Sequence, residues 1–236
     1  GELRVGMEPG YMPFEMKDKK GNIIGYDVDM AREMAKQMGV KLTLVPTAWD
    51  GIIAGLITDK YDIIMSGMTI TQQRNLEVNF SDPYIVVGQT VLLRNSLAST
   101  IKSAKDLDKP EYTIVTKLGV TGEIATRKFF KKAKIVTFET ESDATSEVLN
   151  GKADAMVYDQ PYNVVFMSDK GKDKLVHLDT SLTYEPLGFA IRKGDPDFLN
   201  WLNNFIRQSK EDKVVGFSDE LYNKWLVDTS WLQRVQ

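Results

Sequence analysis

Tyr112-Thr113-Ile114-Val115-Thr116-Lys117-Leu118-Gly119-Val120-Thr121-Gly122-Glu123 is the stretch on which the fold turns. A β-branched run reads as a strand, two glycines punctuate a tight turn, and apolar residues at helical spacing then predict a helix over 121–130. The alternation continues with a strand at 134–138, a helix at 142–149, a strand at 153–158 and a helix at 161–168. Strands separated by helices are joined by crossovers, so this is an α/β unit with a parallel sheet.

The same rhythm occurs upstream. Residues 3–7, 40–45 and 62–65 read as strands, and 27–38 and 49–58 as helices. In the first of these helices Met30, Ala31, Met34, Ala35 and Met38 share one face, which predicts a core stripe. Two extended runs frame the second unit, Gln89-Thr90-Val91-Leu92-Leu93 and Gly188-Phe189-Ala190-Ile191-Arg192, after which Asp195-Pro196 opens a helix with Phe198, Trp201, Leu202, Phe205 and Ile206 on its apolar face. Leu221, Tyr222, Trp225 and Leu226 form a last short apolar face. The expected architecture is two α/β lobes, the second (91–187) inserted into the first (1–90 and 188–236), with hinge strands near 88–93 and 186–192. In open α/β sheets ligands sit outside the carboxyl ends of the strands, so a ligand is expected between the lobes.

Composition narrows the chemistry. The 236 residues, 42% hydrophobic and 27% charged, suit an ordinary globular chain, and a net charge of −3 argues against a nucleic-acid or membrane-surface partner. There are no cysteines, hence no disulfides, thiolate metal sites or Cys nucleophile. His177 is the single histidine and sits in an alternating strand-like run, where a structural role is expected; neither a metal nor a cofactor is expected. No apolar run approaches the length needed to cross a bilayer. The sequence opens at Gly1 directly before the first strand, so any export signal is expected to have been removed before this point.

Four segments carry binding chemistry. In Met65-Ser66-Gly67-Met68-Thr69-Ile70-Thr71-Gln72-Gln73-Arg74 a strand ends in small and hydroxylated residues. Thr69 or Thr71 can cap the short helix that follows, and Arg74 can hold a carboxylate through two parallel hydrogen bonds. In the opening stretch Thr121 is a candidate N-cap beside backbone amides exposed by Gly119 and Gly122. Asp159 ends an apolar strand just before Pro161, where its carboxylate can accept from an ammonium group or cap the next helix. Glu8-Pro9-Gly10-Tyr11 follows the first strand, and with Trp49 it offers an acid and aromatic walls for an aliphatic or cationic side chain.

Together these segments resemble the polar amino-acid family of periplasmic solute-binding proteins that serve ABC importers. The resemblance rests on Gly25-Tyr26-Asp27-Val28-Asp29-Met30-Ala31, Ser66-Gly67-Met68-Thr69-Ile70-Thr71 with Arg74, Phe80-Ser81-Asp82-Pro83-Tyr84, and Gly188-Phe189-Ala190-Ile191-Arg192-Lys193. It implies the two-lobed periplasmic binding protein fold, and a site made of Glu8, Tyr11, Trp49, Ser66, Gly67, Thr69, Arg74, Lys117, Thr121 and Asp159. Arg74, with Thr69 and the Thr121 amide, would bind the ligand carboxylate. Asp159, with the Gly67 carbonyl and Thr69 hydroxyl, would bind the α-amino group. Tyr11 and Trp49 would sandwich the side chain with Glu8 at its tip. Lys117 is the position at which glutamine-binding relatives can use a lysine to reach an amide oxygen, whereas Glu8 points to a basic or amide side chain.

The expected function is extracytoplasmic binding of one L-amino acid, glutamine or a basic one such as arginine, by hinge closure, with delivery to the membrane subunits of an ABC transporter. The expected protein is a non-enzymatic monomer, periplasmic or membrane-anchored outside the cell. Two alternatives stand beside it. One is a dehydratase of the cyclohexadienyl type, for which Glu8 and Glu185 are the available acids. The other is the ligand-binding module of a sensor receptor. Residues 212–231 have no assigned role.

Overall fold

The computed structural model describes residues 1–214 and 216–235. The chain divides into two compact units, Gly1–Val86 with Pro186–Gln236, and Val87–Glu185. Both ends of the chain therefore build the first unit, and the middle builds the second.

The first unit contains β1 (Glu2–Met7), β2 (Met16–Lys17), β3 (Ile23–Ile24), α1 (Tyr26–Met38), β4 (Lys41–Pro46), α2 (Ile52–Ile57), β5 (Ile63–Ile64), α3 (Gln72–Asn75) and β6 (Asn79–Phe80). Its sheet runs β4-β1-β5, parallel throughout, followed by a re-entering strand at Ala190–Ile191 that pairs antiparallel with β5 on one side and with β6 on the other. Alternating strands and helices predict a parallel sheet; the mixed sheet arises because the chain re-enters as extended backbone instead of through a crossover helix. The stripe on α1 buries Met30, Ala31, Met34 and Ala35, and the helix ends at Gly39, whose left-handed φ of 66° lets its amide close on Ala35 and Lys36 carbonyls.

β7 (Ile85–Val87) leaves the first unit. The second unit contains β8 (Gln89–Arg94), β9 (Thr113–Lys117), α4 (Thr121–Phe129), β10 (Lys134–Phe138), α5 (Glu141–Leu149), β11 (Ala155–Asp159), α6 (Gln160–Ser168) and β12 (Leu175–Leu178). Its sheet order is β10-β9-β11-β8-β12. The parallel trio β10, β9 and β11 is the part set by crossovers, while β8 is reversed and pairs antiparallel with both β11 and β12. Val91, Leu93, Ile114, Ala155, Val157 and Phe130 close a core beneath it. His177 lies on β12 with Nε2 2.8 Å from the Thr90 hydroxyl, and burial lowers its pKa.

β13 (Glu185–Leu187) leads back and forms a two-stranded sheet with β7. The runs 89–93 and 188–192 thus supply β8 and β14 (Ala190–Ile191), and β7 and β13 carry the chain between the units. α7 (Pro196–Glu211) is capped by Asp195, which accepts from the Phe198 amide, and buries Leu202, Phe205 and Ile206. α8 (Ser218–Tyr222) and a π-helical turn at Asn223–Val227 follow. This last segment, unassigned from sequence, is bound to the first helix: Lys224 Nζ and Trp225 Nε1 donate to the same Asp29 oxygen at 2.6 and 2.8 Å.

Candidate functional site

In the first unit the predicted residues gather at the carboxyl ends of β1, β4 and β5. The Glu8 amide donates to the Ser66 hydroxyl at 3.0 Å, and that hydroxyl donates to the buried Glu15 Oε1 at 2.7 Å. The Ser66 hydroxyl is therefore committed within the fold. Glu8 Oε1 accepts from the Trp49 backbone amide at 3.3 Å, which ties the acid to the turn that follows β4. Tyr11 is buried, with its ring centroid 4.8 Å from that of Phe14. Gly67 has φ +52, and a Cβ there would come within 2.2 Å of the Tyr11 ring. Glycine is required at 67 by both its backbone and the ring pressed against it.

Thr71, not Thr69, caps α3, with its side chain accepting from the Arg74 amide at 3.1 Å. Arg74 Nη1 donates to the Thr69 carbonyl at 2.8 Å, and its guanidinium lies 5.2 Å from the centroid of the Trp49 ring. A carbonyl anchor and an aromatic face hold the planar cation in one orientation, as two-pronged recognition of a carboxylate requires.

Below this cluster lies Asp27, fully buried at the start of α1, with Oδ2 accepting from the Gly67 amide at 2.8 Å and the Tyr84 hydroxyl at 2.9 Å. Burial pushes its carboxyl up to about 7, against the two hydrogen bonds that lower it. The folded state thus holds a proton that the unfolded chain, at its ordinary 3.8, releases earlier. The stability this supplies is complete below about pH 4 and is lost as pH rises towards 7. Compared with Asp27→Asn, the natural protein should lose about 2 kcal/mol of stability between about pH 5 and 6.5. Urea unfolding over that range measures it, and parallel pH profiles for the two proteins would show Asp27 to be ionised throughout.

In the second unit the predicted residues also occupy one edge of the sheet. Lys117 ends β9 and Asp159 ends β11. Two expected caps are absent. Val120 holds the N-cap position of α4, so Thr121 is the helix's first residue. The Glu123 carboxylate instead takes the Gly119 amide at 2.8 Å, which satisfies the turn locally. Asp159 stands at the N-cap of α6 without a side-chain capping bond, because its carboxylate is turned to the Gln89 amide. Gln89 Nε2 also reaches the Thr121 hydroxyl at 3.4 Å, so one side chain links both predicted residues. Antiparallel pairing puts the first residue of β8 opposite the last of β11, which no local pattern reveals. Lys117 Nζ donates to Glu141 Oε2 at 2.8 Å, with the two side chains 2% and 4% exposed. Glu141 also escapes sequence reading, since an acid in the first turn of a helix is commonplace.

Known proteins resemble this chain along most of its length. The model of the bacterial extracellular solute-binding proteins, family 3, matches residues 3–228. The crystal structure of a putative binding component of an ABC transporter from Wolinella succinogenes, complexed with lysine, is 66% identical, covers 99% of each chain and superposes with a TM-score of 0.95. An ancestral amino acid-binding protein, AncCDT-1, a precursor of cyclohexadienyl dehydratase, is 50% identical over 96% of each chain with a TM-score of 0.88. A probable histidine-binding protein of Neisseria gonorrhoeae is 33% identical over 94% of this chain and 82% of its own length.

Proposed function

The chain belongs to family 3 of the bacterial extracellular solute-binding proteins, and we propose that it binds one L-amino acid with a cationic side chain, lysine or arginine, for an ABC importer. Its fold is the two-lobed α/β fold of periplasmic binding proteins, with the second unit inserted into the first. The observation that carries the ligand class is the lysine held by a chain 66% identical over essentially its whole length. Arg74, oriented by Thr69 and Trp49, takes the α-carboxylate. Asp159, linked through Gln89 to Thr121, takes the α-ammonium. Tyr11 and Trp49 flank the side chain, and Glu8 pairs with its cationic end. Gly67 and Thr69 contribute a carbonyl and a hydroxyl, and Ser66, whose hydroxyl is committed, contributes through its backbone. Binding closes β7 and β13 as a hinge, because only a closed form lets one ligand use residues of both units. The protein acts as a monomer outside the cytoplasm and hands its ligand to the transporter's membrane subunits.

A thermal-shift screen of the twenty amino acids tests this reading. A ligand at a hundred times its Kd adds about 2.7 kcal/mol to stability, so lysine and arginine should raise Tm most. A larger shift with glutamine than with either would reassign the side-chain pocket to an amide. The relationship to a dehydratase precursor motivates the second reading. Incubation with prephenate or arogenate should yield no aromatic product; steady turnover would make the chain an enzyme.

A further inference from the structure

Gln89 is the first residue of β8, in the second unit, and antiparallel pairing sets it directly opposite Asp159, the last residue of β11. Residues opposed in this way share a face of the sheet, so the two side chains meet. The backbone of Gln89 is held independently of its side chain. Its amide donates to the Thr183 hydroxyl at 3.0 Å, and its carbonyl accepts from the Leu182 amide at 2.8 Å. Gln89 is only 1% exposed. Its Nε2 donates to Asp159 Oδ1 and reaches the Thr121 hydroxyl oxygen at 3.4 Å, while Oε1 is buried with no hydrogen-bond partner among the described residues. Turned the other way, the side-chain amide would set its oxygen against a carboxylate, so charge fixes its orientation. A buried amide oxygen without a partner disfavours the fold, and a residue kept for packing alone would be apolar here.

Gly122 supplies the room for this amide. It lies in the first turn of α4, where alanine is favoured over glycine and no positive φ calls for one. A Cβ at this position would come within 2.8 Å of Gln89 Oε1 and 3.3 Å of Thr116 Oγ1. The missing methyl is therefore space for the Gln89 side chain. We infer that Gln89 is a positioning residue for the ligand's head group: its amide, anchored on Thr121, locks the rotation of the Asp159 carboxylate so that the α-ammonium meets it in one orientation. The inference rests on the reading of Asp159 as the ammonium contact and deepens it. Gln89 acts through Asp159, so its effect should follow the α-amino group of the ligand and not the ligand's side chain.

The test is the ratio of affinities for L-lysine and ε-aminocaproic acid, measured by competitive isothermal titration calorimetry. The second ligand keeps the carboxylate and the cationic end and lacks only the α-amino group. Damage to the fold weakens both alike, whereas a misaimed Asp159 weakens lysine alone. The natural protein should prefer lysine. Gln89→Leu, which keeps the bulk and removes the amide, should lower the ratio about tenfold, the size of one charge-assisted hydrogen bond. Gly122→Ala removes no polar group and suits the helix, yet it should lower the ratio in the same direction by pushing the amide off Asp159, which keeps the idea testable even where Gln89→Leu does not fold. A natural protein that fails to bind lysine, or holds the two ligands equally, would overturn the reading of Asp159 and this inference together. A natural preference for lysine that both variants leave unchanged would overturn the inference alone.

Discussion

Arg74→Ala should weaken lysine binding by on the order of 4 kcal/mol, roughly a thousandfold, because it leaves the ligand's α-carboxylate desolvated and unpaired. The size follows from the way the guanidinium is prepared. One nitrogen is fixed on the Thr69 carbonyl at 2.8 Å, and the guanidinium carbon lies over the Trp49 ring, 5.2 Å from its centroid. Little side-chain freedom remains to be lost when the ligand arrives, so most of the charge-assisted interaction is available as affinity. Arg74→Lys should recover little of the loss, since an ammonium offers neither the fork nor the flat face. The loss should also be nearly the same for lysine, arginine and glutamine, which share the carboxylate. That uniformity separates Arg74 from Glu8, whose replacement should discriminate among ligands. Calorimetry of Arg74→Ala giving affinity within tenfold of the natural protein would remove Arg74 from the site.

The alternating strands and helices are legible because their signals are local: period-two and helical spacings, a glycine after α1, Asp195 and Pro196 at the start of α7. The carboxyl-end positions of Glu8, Trp49, Arg74, Lys117 and Asp159 follow from the same rhythm. What sequence reading misses is set by pairs distant in the chain. Gln89 meets Asp159 because β8 runs antiparallel to β11, and the strand directions are fixed by where the chain crosses between units, not by any local motif. Glu141 finds Lys117 because the β9–α4–β10 connection returns α5 to the end of β9. Thr121 fails as a cap for a local reason that spacing also hides. Val120 is the residue in extended conformation at the helix start, and Glu123 takes the turn's Gly119 amide.

The widest separation belongs to the residues past α7, and it carries the largest effect expected on stability. Trp225→Ala should cost 3–5 kcal/mol, the range on the order of that seen for large aromatic side chains removed from a core. Trp225 is 1% exposed, its indole donates to Asp29 Oδ2 at 2.8 Å, and Trp231 packs against it at 5.6 Å while donating to its carbonyl at 3.1 Å. Asp29 is the centre of this fastening. Burial alone would raise its pKa, but hydrogen bonds from Lys224 and Trp225 and the charge of Lys224 hold it below the ordinary value. Removing the indole therefore opens a cavity and strips one donor from a carboxylate that burial already disfavours. The charged partner matters less, because the Lys224 side chain is 47% exposed and Arg32 still reaches the other Asp29 oxygen at 2.6 Å. Lys224→Ala should cost under about 1 kcal/mol. Trp225→Phe, which keeps most of the volume and loses the N–H donor, should fall between the two. Urea unfolding of the three variants gives the order directly. A Trp225→Ala protein as stable as Lys224→Ala would mean that the segment after α7 only lies against the first unit, whereas the expected gap means that it completes that unit's core and clamps the helix carrying Asp27 beneath the Gly67 turn.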